Sequence, residues 1–231
     1  MHDTLLILFL KATLLVPVTL LPILDPFGNM PVFASLARSM TPATEIRLAR
    51  QVAINCWVML LGAMFIGAHV LSFFGISLPI VRIGGGILVA ATGWRLLHDE
   101  GQNAIRDEVA TKDEAWSEEE FKLRSFYPIS FPLTVGPGTI AASITLGANT
   151  PTRIVDWVIS VGSAALGVTL TVLVIYLCYR YANRLLALLG SLGTMVVLRL
   201  SAFILMCIGI EILWNGLLDL LRDAGVAIGH A

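Results

Sequence analysis

Long apolar runs alternate with short polar interruptions along this chain, and the length of those runs is its most informative feature. A membrane-crossing helix needs about 20 largely apolar residues. Six segments reach that length, at roughly 4–36, 49–73, 76–97, 126–149, 153–179 and 191–218. The pattern predicts an all-α membrane protein with six transmembrane helices. His98 to Ser125 is the one long polar interval and carries nine acidic residues. It divides the chain into a first unit, 1–97 (spans 1–3), a polar linker, 98–125, a second unit, 126–222 (spans 4–6), and a short tail, 223–231.

Two of the runs cannot be continuous helices. The first holds Leu21-Pro22-Ile23-Leu24-Asp25-Pro26-Phe27-Gly28-Asn29-Met30-Pro31, and the fourth holds Pro128-Ile129-Ser130-Phe131-Pro132-Leu133-Thr134-Val135-Gly136-Pro137-Gly138-Thr139. Each proline removes a backbone donor and each glycine adds backbone freedom. Within a bilayer such backbone is tolerated only around a protein-lined cavity. Paired interruptions at corresponding places in two halves are a pointer to a transporter's binding site.

The halves are weakly self-similar. Val81-Arg82-Ile83-Gly84-Gly85-Gly86-Ile87-Leu88 in span 3 aligns without a gap with Leu198-Arg199-Leu200-Ser201-Ala202-Phe203-Ile204-Leu205 in span 6, and Pro26 aligns with Pro137. A three-span unit returns the chain to the opposite side of the membrane, so its repeat must be inverted. The expected fold is therefore two inverted three-helix repeats, with spans 1 and 4 broken.

Local signals refine the ends. Thr41-Pro42 with Glu45 reads as an N-cap, a first-turn proline and a favourable helix-terminal charge. Ser117-Glu118-Glu119-Glu120 fits a capping box, for either a short interfacial helix or a solvated acidic loop. Met1-His2-Asp3 lacks a basic leader, so the first span is expected to be retained.

Composition adds exclusions. The chain is 57% hydrophobic and 13% charged, with 15 Lys plus Arg against 16 Asp plus Glu. No excess positive charge is offered to nucleic acid. Cys56, Cys178 and Cys207 lie singly in apolar runs, and the four histidines are scattered, so neither a disulfide framework nor a metal site is expected. No cofactor is expected. Arg38, Arg47, Arg50, Arg106, Lys112, Lys122, Arg124, Arg180 and Arg184 follow the odd-numbered spans, whereas the other side has mainly Arg153 and Arg222. The positive-inside rule then places both termini outside the cytoplasm.

Half-helix N-termini suit anions and half-helix C-termini suit cations, so a zwitterion matches both. The candidate substrate-binding residues are Asp25, Gly28, Asn29, Thr134, Gly136, Gly138 and Thr139; alternatively they only pack and cap the broken helices. Asp25 is the one carboxylate in either break. It could cap the following half-helix, meet a substrate ammonium, bind a coupling cation or carry a proton. Arg82, Arg199 and Glu211 are further ionisable candidates, for coupling or for structure. The arginines either snorkel, pair with a carboxylate or clamp a broken helix, and Glu211 is expected to pair with Lys11 at similar depth. Gly84-Gly85-Gly86 with Gly93 reads as a packing face for a neighbouring helix, and an exposed glycine face permits a homo-oligomer.

Asp25-Pro26-Phe27-Gly28-Asn29-Met30-Pro31-Val32-Phe33 and Phe131-Pro132-Leu133-Thr134-Val135-Gly136-Pro137-Gly138-Thr139-Ile140 resemble the two signature stretches of the MarC family of multi-pass bacterial inner-membrane proteins, and the similarity extends over essentially the whole chain. The resemblance implies a relation to the lysine-exporter superfamily and, for some members, transport of small neutral amino acids such as glycine and alanine. The first signature begins with Asn or Asp in that family; here it begins with Asp25. The expectation is an inner-membrane secondary transporter, not an enzyme, whose partners are the lipid bilayer and a small zwitterionic solute, coupled to a proton or sodium. A channel, an accessory membrane subunit and an intramembrane enzyme are the alternatives.

Overall fold

The computed structural model describes residues 2–38, 40–98, 116–148 and 154–225. All regular structure among them is helical: α1 (His2–Leu24), α2 (Pro26–Leu36), α3 (Pro42–Phe73), α4 (Leu78–His98), α5 (Glu118–Arg124), a widened helical segment (Ser125–Thr134), α6 (Pro137–Ala148), α7 (Ile154–Arg180) and α8 (Ala182–Asp223). Five of them, α1, α3, α4, α7 and α8, are long and apolar enough to cross a membrane. The path from α5 through the widened segment into α6, bent by 73°, makes up to six.

Helix ends follow local chemistry. The Thr41 hydroxyl accepts from the Thr44 N–H ahead of Pro42, which starts α3 several residues before the expected 49. Ser117 and Glu120 complete the capping box of α5 in both directions. Arg47 of α3 donates to both carboxylate oxygens of Glu118, at 2.6 and 2.5 Å, and its guanidinium lies 4.6 Å from the centre of the Phe121 ring, so α5 is tied to α3. Gly190 (φ 65°) breaks α8 between a short leading piece and the final span, at the expected boundary of 191. Residues 99–115 of the linker and 226–231 of the tail lie outside the described residues.

Small residues set the packing. A Cβ at Gly86 would lie 2.7 Å from the Gly209 carbonyl oxygen, one at Gly93 2.8 Å from that of Ala202, and one at Gly216 2.8 Å from Arg82 Cβ. Contacts that run backward along α8 as they run forward along α4 make the two helices antiparallel, with backbones in direct contact. The glycine face of span 3 thus meets α8, while Gly85 takes Ala141 of α6 at its side. Two further pairs also pack closely through glycine: α3 on α6, where Gly67 faces Ile144 and Gly147 faces the Met64 carbonyl, and α7 on α1, where Gly167 faces Thr13 and Val16. Ile80, Leu88, Trp94, Leu192 and Val196 point outward, as side chains facing lipid would.

Candidate functional site

The first interruption is a single residue. Pro26 has no N–H to continue α1, and Asp25 takes a left-handed conformation (φ 41°, ψ 61°), the one non-glycine positive φ among the described residues. Aspartate tolerates this region because its short side chain bonds locally. Here Asp25 Oδ1 accepts from the Gly28 N–H at 3.0 Å and so caps α2. A Cβ on Gly28 would occupy the space of that carboxylate. Asp25 is 8% exposed, and Ser201 of α8 lies beside its carboxyl.

The second interruption is spread over many residues. Tyr127 and Phe131 precede Pro128 and Pro132 and are extended, because a proline's ring disfavours helical backbone in the residue before it. The turns widen around them: the Val135 N–H reaches back five residues to the Ser130 carbonyl at 2.8 Å. Hydroxyls stand in for missing donors, Ser130 Oγ on the Ser125 carbonyl at 2.6 Å and Thr134 Oγ1 on that of Ile129 at 2.8 Å. α6 then begins at Pro137, and its first N–H groups have no partner within the helix.

Asn29 joins the two. Its side-chain amide donates to the Leu24 carbonyl at the end of α1, at 2.9 Å, and to the Leu133 carbonyl of the second interruption, at 3.2 Å. Gly138 abuts Val89 and the Gly85 carbonyl near the midpoint of α4, so α6 starts about half-way through that helix. Asp25 lies beside Ser201, next to the Ala202 that faces Gly93, about one turn nearer the His98 end of α4. The glycines divide. Gly28 makes room for Asp25 and Gly138 for Val89, whereas the nearest atom to a Cβ on Gly136 is the Pro132 carbonyl oxygen at 3.5 Å.

Asp25, Gly28, Asn29, Thr134 and Gly136 therefore gather with the start of α6, where Gly138 and buried Thr139 follow; the Thr139 carbonyl accepts from Ser143. The other ionisable candidates lie elsewhere. Arg82 pairs with Asp219 at the opposite end of α4 from His98, while Arg199 is exposed on α8. Glu211 accepts from Asn215 at 3.0 Å, and no Lys11–Glu211 ion pair occurs among the described residues. Both side chains are exposed on their helices; equal depth does not bring two such faces together.

Several site residues carry no motif. Tyr179, fully buried, shares a 2.8 Å hydrogen bond with Thr134 and stacks on Phe33 of α2 with ring centres 4.5 Å apart. Asn55 of α3 donates to Ser130 Oγ at 3.1 Å and accepts from Gln51. Polar residues inside an apolar run, such as Asn55, were the available signal. Tyr179 sits at the end of its run and gave none.

Residues 10–221 match the family described as MarC family integral membrane protein. The inner membrane protein MarC of Salmonella paratyphi A is 31% identical over 211 residues, covering 89% of this chain and 93% of that protein. Its counterpart in Escherichia coli O1:K1 is 30% identical over 207 residues, with the same coverage. No solved structure matches the chain significantly.

Proposed function

This chain belongs to the MarC family of integral membrane proteins, and from that premise we propose that it is an inner-membrane secondary transporter of a small neutral amino acid, glycine or alanine in kind. The solute binds between the two interruptions. The observation that carries the reading is the Asn29 amide, held at once by the Leu24 and Leu133 carbonyls, because it places both interruptions in one polar locus beside the middle of α4.

The two sides of that locus differ in charge. Asp25 brings a carboxylate and occupies the α2 N-terminus with it. The α6 N-terminus has no carboxylate in its approach, so its N–H groups and helix dipole are available to an anion. A zwitterion fits across this polarity, carboxylate toward Gly138 and Thr139, ammonium toward Asp25, with the open side of Gly136 admitting a small solute. Asp25 is also the group through which a proton or sodium would couple.

Packing supports two inverted halves moving by alternating access. In such a repeat α4 and α8 are equivalent, and they lie antiparallel along a shared small-residue seam. With Pro137 aligned to Pro26, α6 is equivalent to α2, and the second spans of the two halves pack on these helices in turn, α3 on α6 and α7 on α2. Both termini lie on the periplasmic side by the distribution of Lys and Arg.

Purified full-length protein in proteoliposomes tests the function. Saturable glycine or alanine uptake, accelerated by the same solute on the far side, is the expected result. Flux linear in concentration would make it a channel; no flux of any small neutral amino acid would contradict the reading.

A further inference from the structure

A cavity with polar groups in a largely apolar wall lies away from the paired interruptions. It occupies about 320 Å³ between α1, α4, α6 and α8, and its lining includes Thr19, Arg82, Ala142, Thr145, Asn215 and Asp219. Binding pockets for small molecules occupy about 300–1,000 Å³. Arg82 and Asp219 lie near the first turn of α4 and the last turns of α8, so the cavity adjoins the membrane face on which both chain termini lie. Its floor approaches the locus described above: Ala142 is one helical turn beyond Gly138, and Thr19 is less than two turns before Asp25.

The polar groups here are positioned and incompletely used. Gly216 presses α8 onto Arg82 Cβ and the Pro79 carbonyl, which fixes Asp219 one turn further along and against the guanidinium. Asp219 also receives Arg222 at 3.6 Å from outside the lining, so two cations share one carboxylate. Side-chain exposures of 24% and 30% leave Arg82 and Asp219 within reach of solvent. Thr145 Oγ1 is buried and has no hydrogen-bond partner, a state that costs free energy unless a water or ligand completes it. Asn215 adds an amide in the same wall, one N–H of which already donates to Glu211 at 3.0 Å.

We propose that this cavity is a second binding site, an outer vestibule, for the same class of small zwitterion. The solute inserts between Arg82 and Asp219: its carboxylate takes the guanidinium with Thr145 and Asn215 as further partners, and its ammonium takes Asp219. The chemistry of the solute rests on the transport reading above; the site itself rests on the cavity and its side chains.

The test is chemical labelling of the full-length protein in a Cys207→Ala background, in which Cys56 and Cys178 are buried. Asn215→Cys, at an exposed position of the lining, with Thr145→Cys as the second and less accessible one, should react with a water-soluble methanethiosulfonate, read as a mass increase. At glycine or alanine near ten times its Kd, labelling should slow about tenfold. That protection should vanish in Arg82→Gln and survive in Gly136→Leu, which obstructs only the inner locus. Absence of labelling at both positions overturns the cavity as a site open to solutes. Protection that persists in Arg82→Gln overturns the assignment of the carboxylate. Labelling indifferent to amino acids overturns the vestibule alone if the protein still transports them, and together with the transport reading if it does not.

Discussion

The two interruptions solve the same problem by opposite means. At Asp25 one residue turns the chain, and its own carboxylate satisfies the next helix start. Between Ser125 and Gly136 the turn is distributed over extended residues, widened turns and borrowed hydroxyls, and the following helix starts without an acidic cap. The first is compact and brings a negative charge; the second has room at Gly136 and leads into a helix whose first N–H groups have no partner within the helix. Two chemically identical interruptions would offer like groups to a ligand, whereas this difference suits a ligand with opposite charges at its two ends.

The comparison is most exposed to glycine substitutions. Gly28→Ala should drive a Cβ into the Asp25 carboxylate and destabilise the protein by about 3 kcal/mol, at the upper end of overpacking costs. Gly136→Ala, with its nearest neighbour at 3.5 Å, should stay within about 0.5 kcal/mol of the parent. Reversible unfolding in mixed micelles measures both, and equal losses would erase the proposed difference between tight and open sides.

Asp25 itself comes next. Asp25→Ala loses the cap and retains the left-handed backbone without local compensation, for a cost of about 2 kcal/mol. Asp25→Asn retains both and should fold like the parent while its transport loses sensitivity to pH or sodium. If Asn and Ala variants were equally unstable, the capping account of this interruption would be wrong.

A smaller effect is expected where the second interruption is anchored. Thr134→Val leaves the buried Tyr179 hydroxyl without its partner, at about 1 kcal/mol, and adding Tyr179→Phe should return most of it. Additive losses would remove the pair as an anchor. The least effect belongs to the exposed Arg47–Glu118 bridge, where the Arg47 hydrogen bond, aided by its charge, holds the Glu118 carboxyl below its ordinary 4.5. The folded state keeps that carboxylate ionised longer than the unfolded state does, so its contribution is present above pH 4.5 and is lost as pH falls through the depressed value. Melting curves of the parent and Glu118→Gln should differ slightly at neutral pH and converge in acid, and added salt should narrow the gap.

Much of this architecture was legible in the residues because it is written in local chemistry. Apolar run lengths gave five of the spans, and a sixth where the bent path from α5 to α6 is counted as one; Pro26 and Pro137 mark helix starts, as do Thr41 and Ser117. The glycine run of span 3 announced a close neighbour, though not that Gly86 and Gly93 meet α8 while Gly85 meets α6. The remainder depends on which helix faces meet. Arg82 offered a choice of roles that only the register of α4 on α8 resolves in favour of Asp219. Lys11 and Glu211 were matched by depth, and depth says nothing of rotation about a helix axis. The Asn29–Leu133 and Thr134–Tyr179 bonds join residues 104 and 45 positions apart, and no local pattern encodes such partners.

The central claim is that a small zwitterion binds between the capped and the uncapped side, and ligand-dependent thermal stability tests it most directly. A ligand that binds only the folded state raises stability with its concentration over Kd. Glycine or alanine should raise the melting temperature of the parent protein in a dose-dependent way, with a smaller shift, that of the vestibule alone, in Gly136→Leu at an unchanged ligand-free melting temperature. No shift of the parent with any small neutral amino acid, or an equal shift in both proteins, would contradict the account.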